Sequence, residues 1–291
     1  MIRQMAWTAL AAIIPSLAGA QTIQDTNLHA WFMYFGDHPV NDRWGVHLES
    51  QVRRADAGLT WQQLLIRPGI NYQLNKHVML SAGYAYVRTS PYGDVPAKTA
   101  FPEHRVFEQA LIKHGVKKVA LRHRLRLEQR LVGTDRWEMR NRFRYMLRAD
   151  TPLPIATSKG KPFGIAVYNE PFIHFGGNRG IRYLDQNRAY AALTYKLSPS
   201  NRLEVGYLHQ YIPQRNGIVS EHNHTLQFAW FSVAPFGRKR GLIMRANDQS
   251  AWCLRRQMLP VNSPSPVTIL SRATSISRNP VPTLIIASRE L

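Results

Sequence analysis

The sequence predicts an all-β chain, a transmembrane antiparallel up-and-down β-barrel of about twelve strands, and three observations carry that reading. From Val119 to Arg148, arginine occupies nearly every second position while leucine and aromatic residues occupy the others. The N-terminus is laid out as an export signal. The chain from there to about Gly237 breaks into alternating segments separated by turn residues.

The arginine stretch is the firmest of the three, because successive side chains of a strand point to opposite faces. Arg122, Arg124, Arg126, Glu128 and Arg130 then share one face, and Leu121, His123, Leu125 and Leu127 the other. After a turn at Val132 to Asp135 the order resumes, with Arg140, Arg142, Arg144 and Arg148 opposite Met139, Phe143, Tyr145 and Leu147. At helical spacing these arginines would spread around a cylinder; only a period of two segregates them. An unpaired buried charge costs several kcal/mol, so the ionic face must meet water or carboxylates. A tube with lipid outside and an ionic lumen meets that demand.

Met1 to Ala20 carries one early cation, Arg3, an apolar run from Met5 to Ile14, and a small-residue exit at Ala18, Gly19 and Ala20. This predicts a signal peptide at 1–20, cut near Ala20, and hence export to the Gram-negative outer membrane. No apolar run of about 18 residues follows, so a membrane helix is not expected. Cys253 is the only cysteine, which excludes a disulfide framework and a thiolate metal cluster. A net charge of +20 would suit nucleic acid, but an exported chain meets lipopolysaccharide, phospholipid headgroups and small anionic solutes instead. Nucleic acid is therefore not an expected partner.

In chain order, the expected barrel at 21–237 begins with Leu28 to Phe35, apolar on both faces, ending at Gly36 to Pro39. Next, Trp44, Val46, Leu48 and Val52 alternate with His47, Glu49, Gln51 and Arg53. Leu64, Ile66, Ile70 and Tyr72 stand against Gln63, Arg67, Asn71 and Gln73, before a tight turn at Asn75 and Lys76. In Val78 to Arg88, Leu80, Ala82, Tyr84 and Tyr86 alternate with Ser81, Gly83 and Ala85, small inward residues that leave room for neighbouring arginines. A loop at 89–102 leads to Glu103 to Lys113, and a turn at Lys113 to Gly115 opens the arginine pair. A loop at 150–162 precedes Phe163 to Phe175, where Tyr168, Glu170, Phe172 and His174 share a face. Gln186 to Leu197, Arg202 to Tyr211 and Glu221 to Phe231 complete the set, the last with Leu226, Phe228 and Trp230 outward.

Most of these strands run about 9 to 12 residues, enough to cross a bilayer with tilt. Aromatics such as Trp44, Trp61, Tyr72, Tyr86, Trp137, Tyr145, Tyr211 and Trp230 fall near strand ends, where an interfacial girdle belongs. Eleven strands are visible, yet antiparallel closure takes an even number in bacterial barrels. The segment before Leu28 is therefore expected to add a twelfth, with ten as the fallback. An exported soluble β-sandwich that binds a partner is the alternative architecture. Against it, one face holds too many arginines for a core and the other too many large apolar groups for water.

Glu103, His104 and Arg105 through Glu108 and Gln109, the run Arg122 to Arg130, Arg140 to Tyr145, the pair Asn169 and Glu170, and Glu204 to Tyr207 resemble the bacterial outer-membrane barrels of domain-of-unknown-function family 2490. The resemblance spans roughly residues 25 to 236. It implies a barrel handled by the insertion machinery and carries no functional residue set. Residues 238–291 depart from all this: Arg, Ser and Pro are abundant and alternation stops. The tail is expected to be an out-of-frame extension, or else a disordered appendage or partner-binding segment.

The lumen offers the main candidate site. Arg122, Arg124, Arg126, Arg130, Arg140, Arg142, Arg144 and Arg148 form a basic ladder, and Glu49, Glu103, Glu128, Glu170 and Glu204 are its expected acidic partners. Such a ladder either fills a narrow lumen with ion pairs or favours passive passage of small anions. A rim hydrolase acting on lipid or ester would draw on Ser50, Ser81, His47, His174 or His209 with Glu49 or Glu170, but no spacing singles these out. His222 and His224 share a strand face as a loose metal-like pair without a third ligand in view. No catalytic residue, metal or cofactor is expected.

Overall fold

The computed structural model describes residues 23–92, 99–157, 160, 162–176, 180–214 and 217–236. The expected signal peptide at 1–20 and aberrant tail at 238–291 lie outside the described residues. Eleven strands form one sheet closed on itself: β1 (Ile23–Pro39), β2 (Trp44–Ala55), β3 (Thr60–Gln73), β4 (Val78–Thr89), β5 (Phe101–Val116), β6 (Val119–Gly133), β7 (Trp137–Pro152), β8 (Phe163–Phe175), β9 (Arg182–Ser198), β10 (Asn201–Pro213) and β11 (Val219–Ser232). A single 3-10 turn, Asp56–Gly58, links β2 to β3. The two-layer sandwich is overturned, because every strand pairs with a neighbour on each side around one ring.

The expectation of twelve strands, with ten as fallback, is also corrected. Each strand from β1 to β11 runs antiparallel to its predecessor, so an odd total leaves the first and last pointing the same way. Closure is completed by a parallel seam, β1 on β11, from Ile23 opposite Val219 to Gly36 opposite Ser232. A closed ring leaves no edge of unpaired N–H and C=O groups. The seam sets like against like. Phe32 stacks on Phe228 outside at 5.3 Å, Phe35 on Phe231 inside at 4.8 Å, and Asn27 bonds Asn223 at 3.1 Å. At its far end His38 stacks on Phe236 at 4.2 Å, and the Phe236 N–H donates to the Pro39 carbonyl at 3.2 Å.

The links at 40–43, 74–77, 117–118, 153–162 and 199–200 lie at one end of the barrel, called here the turn end, and those at 56–59, 90–100, 134–136, 176–181 and 214–218 at the other, the loop end. Asn75 closes its turn by accepting from the N–H of His77 and Val78 at 2.8 and 3.0 Å. The turn expected at Lys113 to Gly115 falls later, at Lys117 and Lys118, with Lys117 at a positive φ of 54°. Strands are longer than expected, reaching 17 residues in β1 and β9. The alternation marks only the part of each strand whose two faces meet different surroundings; the ladders continue past it.

Large apolar side chains are exposed on every strand but β6, among them Phe32, Ile66, Ile70, Leu80, Val106, Leu147, Val167, Leu193, Val205 and Phe228. Trp44 and Tyr72 meet at 4.7 Å near the turn end, and His104 lies 5.5 Å from Tyr86 and 5.4 Å from Trp137 near the loop end. The barrel thus turns its apolar surface outward.

The parallel seam is open to a direct check. In a Cys253→Ser background, Ala30→Cys with Leu226→Cys places thiols on directly opposed residues of β1 and β11. Oxidation is expected to cross-link them, within the ordinary Cα spacing of a disulfide. A twelfth strand between β1 and β11 would leave both thiols free.

Candidate functional site

Every residue of the expected ladder faces the lumen, and so do the five expected acids. At mid-height Glu128, with 0% of its surface exposed, accepts from Arg142 Nη2 at 2.6 Å, Arg144 Nη1 at 3.0 Å and Arg67 Nη2 at 3.2 Å. Glu49 takes the other fork of Arg67 at 2.6 Å and lies 3.8 Å from Arg126. Glu170 accepts two parallel bonds from Arg144, both 3.0 Å, and one from Arg124 at 2.8 Å. Arg67 belongs to β3 and Glu128 to β6, which are not neighbours in the sheet. Their bond therefore bridges the two intervening strands inside the lumen, and the chain from Glu49 through Arg67, Glu128 and Arg144 to Glu170 is a belt that runs from β2 to β8.

Toward the loop end, Glu103 receives forks from Arg105 at 2.5 and 2.9 Å and from Arg130 at 2.5 and 3.0 Å. Arg140 binds Glu138 at 2.6 Å. Toward the turn end, Asp150 gathers Arg122 and Arg148 at 2.8 Å and Arg202 at 3.3 Å. Glu204 holds Arg148 and accepts from Arg202 at 2.8 Å, and the Arg148 bond again spans non-adjacent strands, β7 and β10. Bidentate forks of this kind are the strong form of the pair, which a buried charge needs to offset its lost hydration.

Flat rings complete the packing. Phe107 lies beneath the guanidinium groups of Arg67 and Arg126 at 5.4 and 5.2 Å, Phe172 beneath Arg142 and Arg144 at 5.1 and 4.4 Å, and Phe231 beneath Arg148 and Arg202 at 5.5 and 4.8 Å. Cation–π contact suits guanidinium because it is planar and weakly hydrated. The room expected beside β4 is occupied by the Phe107 ring, not by arginine directly. A Cβ on Gly83 would meet Phe107 Cε1 at 2.9 Å and Gly69 Cα at 2.6 Å, so both glycines are needed for the ring to sit there.

Sequence reasoning missed three acids and three arginines outside the ladder that share in the network: Asp37, Glu138, Asp150, Arg67, Arg105 and Arg202. The signal was present in part. Asp150 stands in phase with Arg148 and Glu138 with Arg140, two residues apart on the same face. The lumenal rings Phe107 and Phe231 were not singled out, although each is in phase with polar inward neighbours.

The hydrolase candidates are dispersed. Ser50 and His209 face outward; His47, Ser81 and His174 face the lumen. His47 Nδ1 is 2.8 Å from Asp37 and its Nε2 3.6 Å from Glu49, a histidine held between acids with no serine bonded to it among the described residues. Outside, His222 and His224 do acquire a third histidine, His209, at ring distances of 5.5 and 5.4 Å. Among the described residues no group of three His, Cys, Asp or Glu is placed to hold a metal ion.

The fold and the lumen define the class: a closed all-β barrel, apolar outside, with an interior built from buried arginine–carboxylate pairs. The chain belongs to the family described as "Protein of unknown function (DUF2490)", whose model matches residues 28–221. It is also similar to an uncharacterized protein of Methylorubrum extorquens, 28% identical over 212 residues that cover 70% of this chain and 87% of that protein.

Glu128 is the test of the belt. Glu128→Gln keeps the shape and strips the shared charge from Arg67, Arg142 and Arg144. Urea unfolding in detergent is expected to report a loss of about 3–5 kcal/mol, the cost of orphaning a buried charge. Arg43→Gln, in an exposed turn, is expected to change stability by less than about 0.5 kcal/mol.

Proposed function

We propose that this protein is an outer-membrane β-barrel, exported by cleavage near Ala20, whose lumen is sealed at mid-height by the ion-paired belt. It is a structural barrel rather than an open pore. The single observation that carries the reading is the pair of ionic bonds that bridge non-adjacent strands inside the lumen, Arg67 to Glu128 and Arg148 to Glu204. Each bond bridges two intervening strands and draws its side chains off the wall, which narrows the lumen around the cavity that Arg67 and Arg148 line. Eleven strands fall between barrels filled by side chains and barrels that hold a channel, so the side chains decide.

The membrane assignment is supported by the apolar exterior on nearly every strand, by aromatic residues toward both ends, and by a ring with no open edge. Outer-membrane lipid and lipopolysaccharide are then the surroundings of the outward face, and the barrel insertion machinery is a transient partner.

Two measurements test the two halves of the proposal. Membrane fractionation with heat-modifiable migration on a detergent gel is expected to place the folded chain in the outer membrane; recovery as a soluble protein without detergent overturns that half. In a planar bilayer the refolded chain is expected to show no steady discrete conductance, and a stable open level would overturn the sealed lumen.

A further inference from the structure

The lumenal arginines are not all alike. Among the described ones, each holds an ion pair with a carboxylate except Arg53 and Arg188, and these two share one ring. The guanidinium carbon of Arg53 sits 4.0 Å from the centre of the Trp31 indole, and that of Arg188 sits 5.2 Å from it. Trp31 is 1% exposed, and both arginines are buried.

Their acceptors are neutral amides. Arg53 donates through Nε to Gln51 Oε1 at 3.0 Å and through Nη1 to Gln63 Oε1 at 2.9 Å. With its amide turned so that the oxygen faces the guanidinium, Gln186 accepts from Arg188 Nε at 2.5 Å and Nη2 at 3.1 Å. Nearby acids are engaged elsewhere: Glu170, opposite Arg188 on the adjoining strand, gives its oxygens to Arg124 and Arg144, and Glu49 binds Arg67. Two desolvated like charges on one ring, without a counter-ion, cost free energy that the rest of the lumen avoids.

A cavity of about 320 Å³ inside the barrel is lined by both of these arginines and by Trp31. Tyr92, from the link after β4, reaches the same cavity and sets its ring edge-on to His29 at 5.2 Å. Gln62, extruded by a bulge between β2 and β3, turns inward to accept from Trp31 Nε1 at 2.9 Å and so fixes the indole between the two cations. The arrangement is a rigid platform with two unneutralised forks beside open space.

We propose that this part of the lumen, on the loop-end side of the belt, is a binding site for a small oxyanion, a carboxylate or a phosphate, held by Arg53 and Arg188 across Trp31. Planar forks match either group through paired N–H bonds. The site rests on the lumen geometry alone and stands whether or not the barrel conducts ions.

The test uses the refolded full-length mature chain in detergent, with inorganic phosphate and succinate as probes and chloride as the control. Urea unfolding midpoints are expected to rise with at least one probe, as ligand bound only to the folded state requires, and not with chloride. Calorimetric titration of the same probe is expected to saturate, with affinity falling about tenfold for each of Arg53→Gln and Arg188→Gln. Without ligand, the double variant is expected to be no less stable than the parent, because the charges it removes are uncompensated. Stabilisation by succinate alone assigns a carboxylate, and by phosphate alone a phosphoryl group. If the double variant does not fold, as judged by heat-shifted migration, Arg53→Lys and Arg188→Lys replace it; they keep the charge and lose the fork, and weakened binding is again expected. No saturable binding of either probe, or binding unchanged by these substitutions, overturns the site.

Discussion

A guanidinium group taken out of water must be given a carboxylate, and the interior of this barrel is arranged around that demand. Glu128 serves three arginines, Asp150 three, and Glu103 and Glu170 two each. Phe107, Phe172 and Phe231 then support the flat faces that the carboxylates leave uncovered. Carboxylates bind the edges of the guanidinium plane and rings cover its faces. An arginine so held is fixed in every direction, which lets the belt bridge strands that are not neighbours.

The same demand explains where glycine and alanine fall on the inward face. Gly69, Gly83 and Ala85 thin the wall beside Phe107, and the ring moves into that space to reach Arg67 and Arg126. Closure obeys a second constraint of equal weight, that no strand edge be left open. With eleven strands the chain meets it by a parallel seam whose register stacks Phe32 on Phe228 and Phe35 on Phe231. The register opposes phenylalanine to phenylalanine at these two positions, and aromatic pairs profit from the proximity.

Much of this was legible in the sequence, because period two is strict wherever the two faces of a strand meet opposite environments. The facing of β2, β6 and β7 followed from parity alone, and the turn at Asn75 from its residue type. The strand total did not, since evenness is a rule about antiparallel closure and says nothing of a parallel seam. Partnerships across the lumen, such as Arg148 with Glu204, were also out of reach. They depend on how far each strand is offset from the next, a quantity that accumulates around the ring and that no single segment encodes. Trp31 and Phe231 were left without a role for a different reason: a ring inside a charged lumen carries no mark in the sequence that separates it from an outward one.

Why fill a lumen with ion pairs when leucine would pack as well? Buried pairs roughly break even against apolar replacements of the same volume, so stability is no explanation. The alternation itself is the better reason. Strands apolar on both faces would make the unfolded chain a run of aggregation-prone segments. Interleaved arginine and glutamate keep the mean hydropathy at −0.31 while leaving an apolar outward face. Once such residues are imposed, the fold must neutralise them, and the acids on β2, β5, β6, β7, β8 and β10 do so. Against that background Arg53 and Arg188 stand out as charges that the chain could have matched with its own carboxylates, as it matches their neighbours. Selection for solubility before insertion would be served equally well by a paired arginine or by a glutamine at either position. A charge kept and left unneutralised beside open space is accounted for when its counter-ion arrives from outside.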